Sequence, residues 1–349
     1  MISPARQTAF DVLRKVHQGG YASDLLLRRS IDLDPRDAGL ASEIVFGCLR
    51  YQAQLDHLIA RRVPRLPHPD VRIALRMGIY QLRYLDRIPP HAAVGESVEL
   101  VKRVHQAPAA GLVNAILRKT DRQPVPWPDR ATGLSVPAWL LERWDGQFGP
   151  ETTDKIAAAF LQPSQTHIAS TGRIQDIAAQ SIVPLLDLQA GQTFLDLCAA
   201  PGNKTAQALE RGVRVVACDI HLHRLKQMRD LNCALVALDG TRPLPFRAKF
   251  DRILVDAPCS GTGTLGRNPE IKWRLEPSDL LDLRAKQVAL VRRALEHLGS
   301  GGRLVYSTCS LEKEENEQVI EEIGGPWQMS ERLPGIGGGD GFFVAVCSR

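Results

Sequence analysis

No stretch of this 349-residue chain approaches the run of roughly 20 apolar residues that spans a bilayer. The first residues, MISPARQTAFDVLRKV, lack the uninterrupted apolar core of a secretory signal. The seven cysteines (Cys48, Cys198, Cys218, Cys233, Cys259, Cys309 and Cys347) contain no CxxC pair and no regular framework. That speaks against disulfides and structural zinc and for a reducing compartment. His221 and His223 have no further ligands clustered in sequence, so no metal is expected. These absences predict a cytoplasmic protein without a membrane or metal partner. Aromatic residues are only 5 % of the chain, so an aromatic platform for nucleobases is not an evident mode. The GxGxxG fingerprint is missing too, which disfavours a dinucleotide.

What is present is ordinary globular material, 44 % apolar and 24 % charged, in a length that allows two or three domains. The charge is unevenly spread. Residues 1–125 hold 19 Lys and Arg against 12 Asp and Glu, and the remainder holds 25 against 27. Nearly all the basic excess therefore lies in the first third, mostly as arginine, the side chain suited to bidentate phosphate contacts. A solvated helical surface would give the same count.

Apolar residues in the first third keep helical spacing. Phe10, Leu13 and Val16 form one set; Ile44, Cys48, Tyr51, Leu55, Leu58 and Ile59 form a long stripe; Val71, Leu75, Ile79 and Leu82 form another. Breaks fall at Gly19-Gly20, Pro64 to Pro69, Pro89-Pro90 and near Pro108. Residues 1–123 thus read as an all-α bundle of five to seven helices. Residues 124–138 read as a Pro-rich linker and 139–190 as a short connecting region, helical over Trp139 to Phe160 and again over Ile174 to Leu186. From residue 191 to 349 the period changes. Phe194–Leu197, Val213–Cys218, Leu235–Leu238, Ile253–Val255 and Leu304–Tyr306 alternate with amphipathic helices, which predicts a parallel, doubly wound Rossmann-like sheet. Phe342–Val346 supplies a further strand.

Chemistry gathers where these strands end. LDLCAAPGNKT (195–205) places Cys198, Ala199, Ala200, Pro201, Gly202, Asn203 and Lys204 between a strand and a helix, where free backbone N–H groups can meet a ligand. Asp219 ends the second strand, with Arg224 shortly after; an acid there can bond both hydroxyls of a ribose. Asp239 ends the third, placed to reach an adenine amino edge. Three strand-end acids in this order and spacing, Asp196, Asp219 and Asp239, suggest S-adenosyl-L-methionine, and Asp256 ends the fourth strand. The fourth strand runs into Asp256-Ala257-Pro258-Cys259 and the fifth into Thr308-Cys309-Ser310. One such cysteine alone reads as a small buried hydrophobe. Two at the carboxyl ends of adjacent strands read as chemistry.

The phrases PCSGTG, YSTCS followed by EEN, LDLCAAPGNKT, QDIAAQ (175–180) and GDGFF (339–343) resemble the signatures of Sun/RsmB-type RNA cytosine-5 methyltransferases. ARQTAFDVLRKV, ASEIVFGCLRY, RIALRMGIYQLRYLDRIPPHAAVGESVELVK and GLVNAILRK resemble the NusB-like all-α RNA-binding domain, which also serves elsewhere as a protein-docking module. The resemblance implies S-adenosylmethionine-dependent methylation of cytosine carbon 5 in RNA, with 16S rRNA the expected substrate and an unstacked, single-stranded or loop cytosine the target. It assigns covalent attack at carbon 6 to Cys309, stabilisation of N3 to Asp256, release to Cys259, and electrostatic support of the thiol to Lys204. Two departures stand out. Family members carry Gly-Gly-Lys where this chain has Gly202-Asn203-Lys204, and Asn is the non-glycine residue most at ease in left-handed backbone. Relatives also hold a small α/β RNA-clamping subdomain where residues 139–172 are too few for all of it. That shortening keeps one alternative open, a non-catalytic rRNA-binding or assembly factor on a vestigial methyltransferase fold. An amino-group methyltransferase would show (N/D)PP(Y/F) in place of Asp256-Ala257-Pro258-Cys259.

Overall fold

The computed structural model describes residues 2–349. It falls into two compact units, one holding the chain up to Pro163 together with Leu265–Arg274, the other Ser164–Thr264 and Leu275–Arg349. The connecting region therefore divides at Pro163.

The first unit is helical: α1 (Pro4–His17), α2 (Ala22–Arg29), α3 (Pro35–Arg50), α4 (Gln52–Ala60), α5 (Pro69–Tyr84), α6 (Pro90–Arg103), α7 (Ala110–Arg118), α8 (Arg130–Leu134), α9 (Ala138–Phe148) and α10 (Pro150–Ala159). Five of these begin on proline, whose fixed φ and missing N–H suit the first helical position. Phe10, Ile44, Leu55, Ile59, Leu75, Met77, Ile79 and Leu100 are fully buried and form the core of this unit. The stripe from Ile44 to Ile59 serves two helices rather than one, because Tyr51 leaves helical geometry between α3 and α4. Trp139 to Phe160 likewise breaks in two at Gly149, whose φ of +80° ends α9. Close packing of α3 on α5 depends on Gly47, where a Cβ would lie 1.9 Å from the ring of Tyr80.

Leu265–Arg274 belongs to this helical unit by its bonds. The last carbonyls of a helix have no partner inside it. At the end of α3 these are met from outside: Lys272 Nζ donates to Arg50 O at 3.0 Å and Trp273 Nε1 to Leu49 O at 2.7 Å. Arg50 Nε returns a bond to Gly266 O at 2.9 Å, and Glu270 accepts from Ala22 N at 2.9 Å.

The second unit is a seven-stranded sheet: β1 (Thr193–Asp196), β2 (Arg214–Asp219), β3 (Ala234–Ala237), β4 (Phe250–Asp256), β5 (Leu298–Thr308), β6 (Trp327–Arg332) and β7 (Phe342–Ser348), ordered β3-β2-β1-β4-β5-β7-β6. Helices α11 (Ile177–Gln180), α12 (Asn203–Leu209), α13 (Leu222–Leu225), α14 (Pro277–Glu296) and α15 (Glu317–Ile323) accompany it. Ile174 to Leu186, expected as one helix, gives only α11 and a 3₁₀ turn at Val183–Leu186. Both faces of the sheet are covered. Leu195, Ile253, Val255 and Leu304 pack towards Val288, Val291 and Ala294 of α14, while the alternate residues Phe194, Leu254 and Val305 pack towards Ala178, Ile182 and Leu186. An all-parallel sheet is corrected at one edge: β1 to β5 are parallel, but β7 runs antiparallel to β5 and to β6. Strand β6 was not expected, and its exposed Gln328, Met329, Ser330 and Glu331 show no apolar alternation. Between Ser164 and Asp176 stands a turn closed by a single antiparallel bridge, Ile168 to Ile174.

Candidate active site

The carboxyl ends of β1, β2, β4 and β5 open on a cavity of about 490 Å³. Its lining includes Cys198 and Ala200 after β1, Asp219, Ile220 and Arg224 from β2 onward, Leu238, Asp239 and Gly240 after β3, Asp256 and Cys259 after β4, and Cys309 after β5. Nine residues expected at a site, Cys198, Ala200, Asp219, Arg224, Asp239, Asp256, Cys259, Cys309 and (through its partner) Lys204, thus meet in one place. Ala199, Pro201, Gly202 and Asn203 do not line the cavity; they form the turn that shapes it.

The left-handed position in that turn is Gly202, with φ +99°, not Asn203. A Cβ at Gly202 would stand 2.9 Å from Met228 Cγ, so only glycine fits. Asn203 begins α12 and sends its side-chain amide to Ile174 O at 3.0 Å. The expectation that Asn203 would take left-handed backbone is corrected accordingly.

Asp219 accepts from the backbone N–H of His221 at 2.8 Å and of Ala200 at 3.2 Å, one to each oxygen, which fixes its carboxylate at the cavity wall. Asp239 accepts from both the N–H and the hydroxyl of Thr241, and these bonds hold its carboxyl below the usual range. Asp196, at the end of β1, is fully buried with Thr205 Oγ1 at 2.6 Å. Burial pushes its carboxyl up to about 7, and the charges of Asp256 and Asp219 act in the same direction.

Asp256 is gripped on both oxygens, by Lys204 Nζ at 2.6 Å and by Ser307 Oγ at 2.7 Å. Burial works against the charge on Lys204, but Asp256, with a smaller contribution from Cys309, outweighs it and raises the ammonium above its ordinary value. The ring of Phe342, in the GDGFF phrase, lies 5.6 Å from the same Nζ.

Cys259 Sγ and Cys309 Sγ are 3.3 Å apart, and both thiols are free. The hydrogen bond to Cys309, reinforced by burial, pushes the Cys259 thiol well up. Either sulfur can donate in this contact, and Cys309 also lies within electrostatic reach of the Lys204 ammonium. An acid, an ammonium and two inequivalent thiols around one cavity can add a sulfur to an electron-poor carbon, hold charge that develops on the ring, and manage a proton.

Sequence reading missed the residues that brace these groups: Ser307, Ser260, Ser310, Gln287 and Glu315. The EEN phrase was the available signal, and Glu315 and Asn316 within it bond the TCS turn directly. Lys286 and Leu290 of α14 also line the cavity, reached from too far along the chain for spacing to reveal them.

The fold and this cavity define a Rossmann-like methyltransferase behind a NusB-like helical region. Residues 183–333 match the family model for 16S rRNA methyltransferase RsmB/F, and residues 3–122 match that for the NusB family. The chain is 34 % identical to the ribosomal RNA small subunit methyltransferase B of Thermus thermophilus, over 99 % of this chain and 97 % of that one. It is 32 % identical to the protein of the same name from Escherichia coli, over 95 % of each. The chain belongs to the ribosomal RNA small subunit methyltransferase B family. Among solved structures, that of PH0851 superposes with a TM-score of 0.77 at 19 % identity over 99 % of both chains. A methyltransferase homolog from Pyrococcus horikoshii superposes with a TM-score of 0.55 at 24 % identity over 64 % of this chain and all of that one. These two likenesses speak for the fold. Among the described residues no group of three or more His, Cys, Asp or Glu is arranged to hold a metal, and no helix is long and apolar enough to cross a membrane.

Proposed function

We propose that this protein methylates carbon 5 of a cytosine in RNA, with 16S rRNA its substrate and S-adenosylmethionine its methyl donor. The observation that carries the reading is the pair of free thiols 3.3 Å apart beside Asp256. The substrate class comes from the names of the relatives, and the basic helical unit suits a polyanion.

The cavity fits the donor. Leu197, Ile220 and Leu238 offer apolar walls that would suit an adenine, the fixed carboxylate of Asp219 would accept from ribose hydroxyls, and Asp239 follows on the next strand. At Gly240 a Cβ would stand 2.7 Å from Leu290 Cδ2, so the floor there tolerates no side chain. Bound S-adenosylmethionine supplies an electrophilic methyl group on a sulfonium.

Carbon 5 of cytosine is a poor nucleophile until a group adds at carbon 6. In this reading Cys309 forms that bond as thiolate, and electron density moves through the ring to N3. N3 takes up a proton from solvent as this charge arrives, and Asp256, whose orientation Lys204 and Ser307 hold, accepts the hydrogen bond from the N3–H. Once carbon 5 carries the methyl group, its proton must leave. Cys259, as thiolate, accepts that proton; the electrons of the broken C–H bond restore the ring double bond and expel Cys309 as thiolate, and N3 returns its proton to solvent. The target base has to leave its stack to reach the thiols, hence a loop or single-stranded cytosine.

The test is incubation of the purified protein and labelled S-adenosylmethionine with rRNA from cells lacking the gene, followed by bisulfite mapping. One new 5-methylcytosine is expected. RNA binding with neither label transfer nor donor binding would instead favour the non-catalytic assembly factor.

A further inference from the structure

Glu315 is completely buried, and neutral donors surround its carboxylate. Its carboxylate collects four donors. Oε1 accepts from Ser260 N at 2.8 Å and Gln287 Nε2 at 3.0 Å; Oε2 accepts from Ser310 Oγ at 2.5 Å and from Ser260 Oγ. Ser260 follows Cys259 directly and Ser310 follows Cys309 directly. The two serine hydroxyls also touch each other at 3.1 Å. Gln287 extends the network to Pro258 O at 2.9 Å, so the residues on both sides of Cys259 are held. A single carboxylate therefore ties together the two turns that present the thiols, which lie 50 residues apart in the chain.

We propose that Glu315 is a positioning residue: a buried clasp that sets the distance between Cys259 and Cys309. It touches neither the cavity nor the sulfurs, and acts through Ser260 and Ser310. Its catalytic meaning rests on the reading of Cys309 as the attacking thiol and Cys259 as the releasing one. In that chemistry the carbon bonded to Cys309 and the carbon losing its proton are neighbours in one ring, so the second thiol must stand close to the first. A displacement of about 1 Å between two such groups can cost about 10²-fold in rate. Buried carboxylates are costly unless every oxygen is bonded, which this one is. The clasp is consequently stiff.

Glu315→Gln keeps the shape but turns an amide NH₂ towards donors, and should separate the turns. The first readout needs no RNA. Diamide oxidises neighbouring thiols to a disulfide while being reduced to its hydrazine, and mapping the Cys259–Cys309 peptide gives the rate of closure. Glu315→Gln should close this pair at least tenfold more slowly than the parent, and Ser310→Ala and Ser260→Ala should slow it by smaller factors. Ser310→Thr, which keeps the hydroxyl, should restore the parental rate. The second readout is turnover: kcat should fall at least tenfold in Glu315→Gln while KM for RNA and for S-adenosylmethionine stays within twofold. Should Glu315→Gln fail to fold, Ser310→Ala carries both measurements. Closure at the parental rate in these folded variants would overturn the clasp. Slowed closure in a protein that methylates nothing would leave the clasp standing and overturn the function assigned above.

Discussion

Lys204 Nζ lies 2.6 Å from Asp256 Oδ2, joining the first turn of α12 to the end of β4 across 52 residues. Lys204 is largely buried and Asp256 half-buried; Asp256 keeps the ammonium charged, and the bond orients both side chains. Lys204→Met should therefore lower the single-turnover rate of methyl transfer by about 10²-fold, and Asp256→Asn should do at least as much. Because they act as a unit, the double variant should be little worse than the poorer single one. Rates that multiply would show the two residues working separately.

The inequivalence of the two thiols predicts opposite trapping behaviour. With Cys259→Ala, the sulfur–carbon bond should form but not resolve, and a labelled RNA–protein adduct should persist on a denaturing gel. With Cys309→Ala no adduct should appear. An adduct that depends on Cys259 instead would reverse the assignment.

Asp196 gives a pH dependence of stability. Its carboxyl is raised to about 7 in the folded chain from an ordinary value of 3.8. The unfolded chain releases this proton first, so the contribution is fully present below about pH 4 and disappears as pH rises through 7. Asp196→Asn stays neutral throughout. Its melting temperature relative to the parent should climb from pH 4 to pH 7 and level off above, following a slope of at most about 1.4 kcal/mol per pH unit. A constant difference across that window would show that Asp196 does not titrate there.

Lys272 gives the opposite case in the helical unit. Burial, aided by Arg50, lowers its amine to about 7 from 10.5. Between those values the unfolded chain holds a proton that the folded chain lacks, so stability rises with pH across the window. Lys272→Met should gain most over the parent below pH 7 and lose that advantage towards pH 10, by thermal melts at matched ionic strength. A gain independent of pH would mean the ammonium is not penalised.

Much of the fold and site was legible because periodicity and strand ends are local properties. Phe194–Leu197 and Ile253–Val255 announce buried strands, and Asp219, Asp256, Cys259 and Cys309 sit at strand ends that parallel order brings together. What was not legible depends on partners far along the chain. Trp327–Arg332 carries no apolar face, and only pairing with β7 makes it a strand. Glu315 reads as one acid among several in EKEEN until Ser260, 55 residues earlier, is seen against it. Gly202 and Asn203 were exchanged as bearers of the left-handed turn because both tolerate it in principle, and only Met228 decides.

The docking of Leu265–Arg274 on the end of α3 has a consequence for how the protein can be divided. The chain passes from helices to sheet at Pro163, returns for ten residues immediately after the turn bearing Cys259, and leaves again. A fragment beginning at Ser164 would carry Glu270, Lys272 and Trp273 without the groups that pair with them, and one ending at Pro163 would leave Leu49 and Arg50 with bare carbonyls. The two modules are therefore stitched rather than strung, and neither can be lifted out whole with a single cut.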